Sequence, residues 1–138
     1  MEVLELSVSD EASVVLLWAQ AGLTRPWNDP SADFQRAVTG ATSAVLALKE
    51  DDELIGTVMV GSDGHRGWVY YLAVSEVRRR QGNGRMLMAA AEEWLREIGA
   101  VKVQLMVRDE NAPALNFYKA AGYERNDVQV LSRWLNDQ

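Results

Sequence analysis

Arg79-Arg80-Gln81-Gly82-Asn83-Gly84-Arg85 is the stretch of this chain best equipped to do chemistry. It stands between a predicted strand, 68–74, and an apolar-striped helix that Gly99 stops. Strand, glycine turn and helix in that order aim several backbone N–H groups and the positive end of a helix dipole into one small volume. Such a volume suits a phosphate or pyrophosphate. The two glycines let the backbone approach a ligand that a Cβ would hold off. Arg78, Arg79, Arg80 and Arg85 add local positive charge to a chain whose net charge is −6.

A lone Gly-x-Gly after a strand is more often a structural turn than a site. Leu87 stands where the dinucleotide fingerprint needs its third glycine or alanine, and the Gly-Lys-Ser/Thr ending of a Walker loop is missing. A second constellation raises the odds. It begins 27 residues after Gly84 and reads Asn111-x-x-Ala114-x-x-Phe117-Tyr118, followed by Gly122-Tyr123.

The elements that must position these groups follow from periodicity and punctuation. Residues 3–8 read as an edge strand. Asp10 is placed to cap a helix through Ala21 that buries Val14, Leu17, Trp18 and Ala21, with Gly22 closing it. Two prolines and Asn28-Asp29 make 23–30 a shaped loop, and Asp29 with Pro30 starts a second helix that runs to about Thr39. Residues 43–48 and 54–61 are strands joined by an acidic turn, and Asp63-Gly64 turns into the strand 68–74. The helix after the glycine turn is expected to bury Leu87, Ala90, Ala91, Trp94 and Ile98. Residues 101–107 form a strand parallel to 68–74 after a right-handed crossover. Asn111 opens a fourth helix that Gly122 ends, and 123–135 holds two short strands. The order is β-α-α-β-β-β-α-β-α-β-β, an α/β (α+β) mixed sheet with helices on both faces and a single domain, 1–138.

Composition excludes several classes. Apolar residues make up 48% and charged residues 25%, the balance of a soluble globular protein. No cysteine is present, so disulfides and thiolate metal sites are out, and one histidine, His65, makes zinc improbable. No metal is expected. The acidic balance disfavours nucleic acid, and the arginine cluster has no aromatic platform beside it. Glu2 and Glu5 do not make a signal peptide, no apolar run approaches a membrane span, and a cytoplasmic protein is expected.

With both motifs in view, the sequence resembles the GNAT superfamily of N-acetyltransferases. Its Arg/Gln-x-x-Gly-x-Gly/Ala pattern matches Arg79, Gly82 and Gly84. Its later Asn-x-x-Ala-x-x-Phe/Leu-Tyr, closed by Gly-Phe/Tyr, matches Asn111, Ala114, Phe117, Tyr118, Gly122 and Tyr123. More narrowly, residues 23–30, Asp63-Gly64-His65-Arg66-Gly67 and Tyr70-Tyr71-Leu72 look like the YpeA-type bacterial members. The resemblance implies the acyl-CoA N-acyltransferase fold and acetyl-CoA as cosubstrate. It implies that the stretch Arg79, Arg80, Gln81, Gly82, Asn83, Gly84 and Arg85 holds the pyrophosphate mainly through backbone amides. Leu72, Ala73 and Val74 would pair with the pantetheine as an added strand. Asn111 would contact the pantetheine, and Tyr118 would meet the sulfur. Arg78 is expected on a solvated basic face.

Acetyl transfer needs a neutral amine, a donor for the thioester oxyanion and a proton for the departing thiolate. A strand N–H near Val74 suits the oxyanion. A phenol with a pKa near 10 is a reasonable acid beside a thiol of about 8.5, which points to Tyr118. The base is missing. Where histone-type relatives place a carboxylate and arylalkylamine-type relatives histidines, this chain has Trp68 and Tyr70, and the glutamate of ribosomal-protein relatives falls on Met106. At pH 7 a lysine must give up about 3.4 pK units, roughly 4.6 kcal/mol, to become neutral, whereas an α-amine near pKa 8 needs about 1.4 kcal/mol. An α-amine or another low-pKa amine is therefore the expected acceptor, unless a water relay ends on His65, Asp63 or Glu76. Arg25, Trp27, Asn28 and Asp29 are candidates for the acceptor wall, with His65 and Tyr70 beside them. Each has a structural alternative, such as helix capping for Asn28-Asp29 or a plain turn for His65. Tyr70 and Tyr71 are expected on opposite faces of their strand, one in the core and one in the cleft. The rival function is a CoA-binding or sensing module without turnover; a monomer or homodimer is expected in either case.

Overall fold

In the computed structural model, residues 2–136 are described; Met1, Asp137 and Gln138, the ends of the expected 1–138 domain, lie outside them. The elements are β1 (Glu2–Glu5), α1 (Glu11–Gln20), α2 (Pro30–Thr39), β2 (Ser43–Glu50), β3 (Glu53–Ser62), β4 (Gly67–Val74), α3 (Asn83–Glu97), β5 (Val103–Gln104) and α4 (Ala112–Ala120). Short 3-10 turns occupy Val8–Asp10 and Glu76–Arg78. This is a mixed α/β fold with five strands and four α-helices. The chain divides into two compact units, one through Leu105 and one from Met106 onward.

In the first unit the sheet order is β1-β2-β3-β4-β5, with antiparallel pairs throughout except the parallel β4–β5 contact. The two hairpins are local products. Asp51 and Asp52 take positive φ in the β2–β3 turn, and Asp63 accepts the N–H groups of His65 and Arg66, both at 2.8 Å, in the β3–β4 turn. Asp29 caps α2 by accepting the Ala32 N–H at 3.1 Å, with Pro30 at the start, as the sequence predicts.

Helices cover both faces. On one, α1 and α2 bury Val14, Leu17, Trp18, Phe34 and Ala37 against Leu6, Val45, Ala47 and Ala73. On the other, α3 seats Leu87 and Leu95 over Gly56 and Gly67. A Cβ at Gly56 would stand 2.9 Å from Leu87 Cδ1, and one at Gly67 would stand 2.6 Å from Leu95 Cδ1. These two glycines are grooves for two leucine knobs, and they fix the rotation of α3. Its buried residues are Asn83, Leu87, Met88, Ala91 and Leu95. The expected stripe is thereby corrected: Ile98 is exposed, and Ala90 and Trp94 are only partly covered.

One further expectation is borne out in direction but shortened, and another fails. The strand predicted over 101–107 is only Val103–Gln104, paired with Gly67 and Trp68, and 123–135 carries no strand among the described residues. Val128, Val130 and Leu131, whose β-branched and apolar character suggested pairing, are all exposed. No helix among the described residues is long and apolar enough to cross a membrane.

Candidate active site

The glycine turn forms as predicted, and its side chains stabilise it from within. Arg80 has φ +64° and Gly82 φ +82°, so the backbone makes two left-handed turns before α3 begins. Gly82 is the N-cap of α3, and no side chain caps the helix. Helix geometry leaves the N–H groups of Asn83 and Gly84 without intrahelical acceptors. The Asn83 side chain is buried and donates from Nδ2 to the Arg78 carbonyl at 2.9 Å. Gln81 Nε2 reaches back to the Val77 carbonyl at 3.4 Å, and Arg79 Nε donates to the Val74 carbonyl at 3.1 Å. Arg78 is not on a solvated basic face: it bridges Glu50 at 3.1 Å and Glu53 at 3.3 Å on the β2–β3 hairpin, which holds its guanidinium pKa above the usual value. Gly84 lies inside the first turn of α3 and does not use positive φ, so only Gly82 is required by conformation.

The strand that leads into this turn carries a bulge. Thr57 pairs with Ala73 and Met59 with Tyr70, so two steps along β3 oppose three along β4. The inserted residue is absorbed at Tyr71, a non-glycine residue with φ +51°. The expectation that Tyr70 and Tyr71 face opposite ways is corrected here. Tyr70 shares the face of its partner Met59, which packs against the α1/α2 cluster, and Tyr71 packs against the same cluster. Tyr70 is 44% exposed and stacks beside Trp68 at 6.5 Å, whereas Tyr71 is only partly exposed.

The bulge also changes which backbone groups face outward. Gly67 donates its N–H outward to the Lys102 carbonyl at 2.8 Å, while Ser75 donates inward to the Ile55 carbonyl of β3 at 2.8 Å. Alternation from Ser75 turns the N–H and C=O of Val74 and Leu72 to the outer edge, and those of the buried Ala73 toward β3. The β4–β5 pairing ends at Trp68–Gln104, short of that edge.

The acceptor-wall residues are bound up in their own loop. Arg25 donates to the carbonyls of Gly22 and Thr24, each at 2.9 Å; Asn28 closes a turn on the Arg25 carbonyl at 3.0 Å; Asp29 is the α2 cap. Trp27 is 47% exposed. His65 lies exposed in the β3–β4 turn. Asp63 is committed three times over, to the N–H groups of Arg66 and His65 and to Trp68 Nε1 at 3.1 Å, and these bonds pull its carboxyl pKa down to about 2. A carboxylate of that pKa is a poor proton acceptor, which removes Asp63 from the candidate relay.

In the second unit, Asn111 caps α4, its Oδ1 accepting the Ala114 N–H at 3.2 Å. Tyr118 is half-buried between the rings of Phe117 at 5.0 Å and Tyr123 at 5.8 Å, both edge-on. Burial pushes its phenol pKa up to about 12. Gly122 closes the helix at φ +95°.

A family model described as "Acetyltransferase (GNAT) family" matches residues 13–123, most of the chain. The chain belongs to the GNAT acetyltransferase family. Solved structures agree in fold. The tetramutant of the BH1408 protein from Bacillus halodurans is 26% identical with a TM-score of 0.76, the match covering 98% of this chain and 100% of that one. AAC(6′)-Iy in complex with the bisubstrate analog CoA-S-monomethyl-acetylneamine has a TM-score of 0.83 at 16% identity, over 96% of this chain and 97% of that one. Ribosomal-protein-alanine N-acetyltransferase from Brucella melitensis biovar Abortus 2308 has a TM-score of 0.77 at 16% identity, over 97% and 100%.

This GNAT chain is accordingly an acyltransferase, and a purely non-catalytic module is set aside. Sequence reasoning passed over two of the residues that organise β4, Asp33 and Thr57, and read the third, Trp18, only as buried core. Trp18 Nε1 donates to Thr57 Oγ1 at 2.9 Å, Thr57 Oγ1 donates to the Tyr71 carbonyl at 3.4 Å, and Tyr71 Oη donates to Asp33 Oδ2 at 2.8 Å. The signal available was Thr57, a polar residue inside the otherwise apolar run 54–60 and completely buried.

Proposed function

We propose that this protein transfers the acetyl group of acetyl-CoA to a primary amine, either the α-amine of a peptide or protein or a small-molecule amine, by direct attack. The observation that carries the reading is the pairing of an uncapped α3 N-terminus at Gly82–Gly84 with the outward edge of β4 at Leu72 and Val74. The first suits a diphosphate, with Arg79, Arg80 and Arg85 adding charge nearby. The second suits the amide groups of a pantetheine arm. Asn111 contributes a further pantetheine contact in this reading. Residues 1–138 act as one domain. The likeness of 23–30 and of Tyr70-Tyr71-Leu72 to YpeA-type members supports a bacterial enzyme of that kind in the cytoplasm.

The amine nitrogen attacks the thioester carbon, and the oxyanion is met by the Val74 N–H. The C–S bond then breaks, the ammonium loses its proton to water and the thiolate takes one. Tyr118 is the proton donor in this reading. A phenol at about 12 opposite a thiol of about 8.5 makes full transfer uphill by about 3.5 pK units, roughly 4.8 kcal/mol. Tyr118 therefore acts mainly as a hydrogen bond to the developing thiolate, and the uphill transfer is completed when solvent returns a proton to the phenolate, matching the one the ammonium gave to water.

The test is release of free thiol from acetyl-CoA across amino acids, peptides, polyamines and aminoglycosides, beside calorimetry with CoA. Turnover with an amine of pKa near 8 and measurable CoA uptake are expected. No uptake of CoA or acetyl-CoA refutes the reading.

A further inference from the structure

We infer that Tyr71 and Asp33 form a latch that sets the aim of the cofactor edge, which makes Tyr71 a positioning residue for acetyl transfer. The inference rests on the proposed function, in which Leu72 and Val74 are that edge.

The bulge changes more than one residue. Without it, alternation from Gly67 would carry the outward N–H groups to residues 71 and 73 and turn Leu72 and Val74 toward β3. With it, Leu72 and Val74 face out, the Val74 carbonyl meets Arg79, and Ser75 returns to pair with Ile55. A non-glycine residue at φ +51° is strained, so the surroundings must hold it there. Three contacts do so from three elements. The ring of Tyr71 lies on Trp18 of α1, with centroids 3.9 Å apart and planes 10° from parallel. Its carbonyl accepts from Thr57 of β3. Its hydroxyl donates to Asp33 in the first turn of α2 at 2.8 Å, a charge-assisted bond; partial burial, and then this bond, push the phenol pKa upward. Arg36 sits 3.3 Å from the other Asp33 oxygen, on the exposed side.

α2 also begins at Asp29, the end of the loop that forms the candidate acceptor wall. The latch therefore ties that wall to the backbone groups that would carry the acyl donor. Binding an acceptor against the loop and binding the donor on β4 draw on one connected set of contacts.

The experiment compares wild type with Tyr71→Phe, Asp33→Ala, their double variant and Asp33→Asn, whose amide oxygen can still accept the phenol. Calorimetry with CoA, kcat and KM for acetyl-CoA, and melting temperature are read for each. Tyr71→Phe and Asp33→Ala are expected each to weaken CoA about tenfold and to raise the KM for acetyl-CoA, with no further loss in the double variant. Asp33→Asn is expected within about threefold of wild type. A lowered melting temperature with unchanged CoA affinity and KM overturns the latch and leaves Tyr71 a stabilising residue only. Amide exchange in the unliganded protein separates this from failure of the functional reading. In wild type the amides of Leu72 and Val74 exchange faster than that of Ala73, and Tyr71→Phe erases the contrast. A contrast that survives in Tyr71→Phe refutes the latch whether or not CoA binds.

Discussion

Gly82 and Gly84 look alike in the sequence, but the structure gives them different burdens, and that difference tests the diphosphate site. Gly82 holds φ +82° with nothing within 4 Å of where its Cβ would stand, so Gly82→Ala meets no clash and carries only the left-handed penalty, about 1–2 kcal/mol. Gly84 is the second residue of α3 and uses ordinary helical φ. Gly84→Ala should leave folding unharmed or improve it by up to about 1 kcal/mol, because alanine is the better helix former. The family pattern admits alanine at this position, so the ligand is tested by a larger side chain. Gly84→Val sets a branched group beside the first N–H groups of α3 and holds a diphosphate oxygen away from donors whose charge-assisted bonds are worth about 1.5–3 kcal/mol each. Loss of one such bond weakens CoA about 10- to 100-fold. Calorimetry with CoA and a thermal melt on the same samples read both quantities. Gly84→Val that stays folded and binds CoA within threefold of wild type, as Gly84→Ala should, would show that no diphosphate approaches this turn.

Four further expectations follow. Tyr118→Phe should lower kcat about 100-fold while changing the KM for acetyl-CoA little. Because burial raises the phenol pKa to about 12, the wild-type alkaline limb should show no ionisation of Tyr118 below about pH 11; a tyrosine-dependent loss near pH 10 would contradict the burial. Asp63, held down to about 2 by backbone donors, stabilises the folded hairpin at every pH above its unfolded value near 3.9, and that contribution disappears as pH falls toward 2. Acid unfolding of Asp63→Ala followed by tryptophan fluorescence should therefore lack the part of the acid transition between about pH 4 and 2. At pH 7 a peptide acetylated at its α-amine should react about 200-fold faster than a matched lysine side chain, the ratio of their neutral fractions, and equal rates would reveal a base not assigned here.

The parts of this fold that were legible in the sequence are those where one side chain captures nearby backbone. Asp29 before Pro30, Asn111 before Pro113, Asp63-Gly64 and the positive-φ stops at Gly99 and Gly122 all act within four residues. Both family motifs are of this kind, since they follow a turn and a cap, and the glycine turn was placed correctly for that reason. What could not be read depends on a partner distant in sequence. α3 has apolar residues around much of its circumference, so periodicity alone could not select Leu95 over Trp94; the grooves at Gly56 and Gly67 make that choice. Arg78 resembles its arginine neighbours until the β2–β3 hairpin brings Glu50 and Glu53 to it. Val128, Val130 and Leu131 have strand propensity without a strand beside them, and propensity without pairing does not make a sheet.

The β4 bulge explains the largest error and most of the site together. A strand pattern is read by counting twos, so one unpaired residue reverses every inference beyond it. Here the reversal puts Trp68, Tyr70 and Tyr71 all on the α1/α2 face and exchanges the outward backbone groups for those of Leu72 and Val74. Aromatic rings thus occupy the face where relatives were expected to place a base; Asp33 is engaged by the Tyr71 hydroxyl at 2.8 Å, and Asp63 is spent on Trp68 and the turn. In the proposed reaction such a surface orients the amine without supplying a dedicated base, so an acceptor that arrives neutral is the expected one. In that reading the same inserted residue that aims the proposed donor edge would also favour a low-pKa amine.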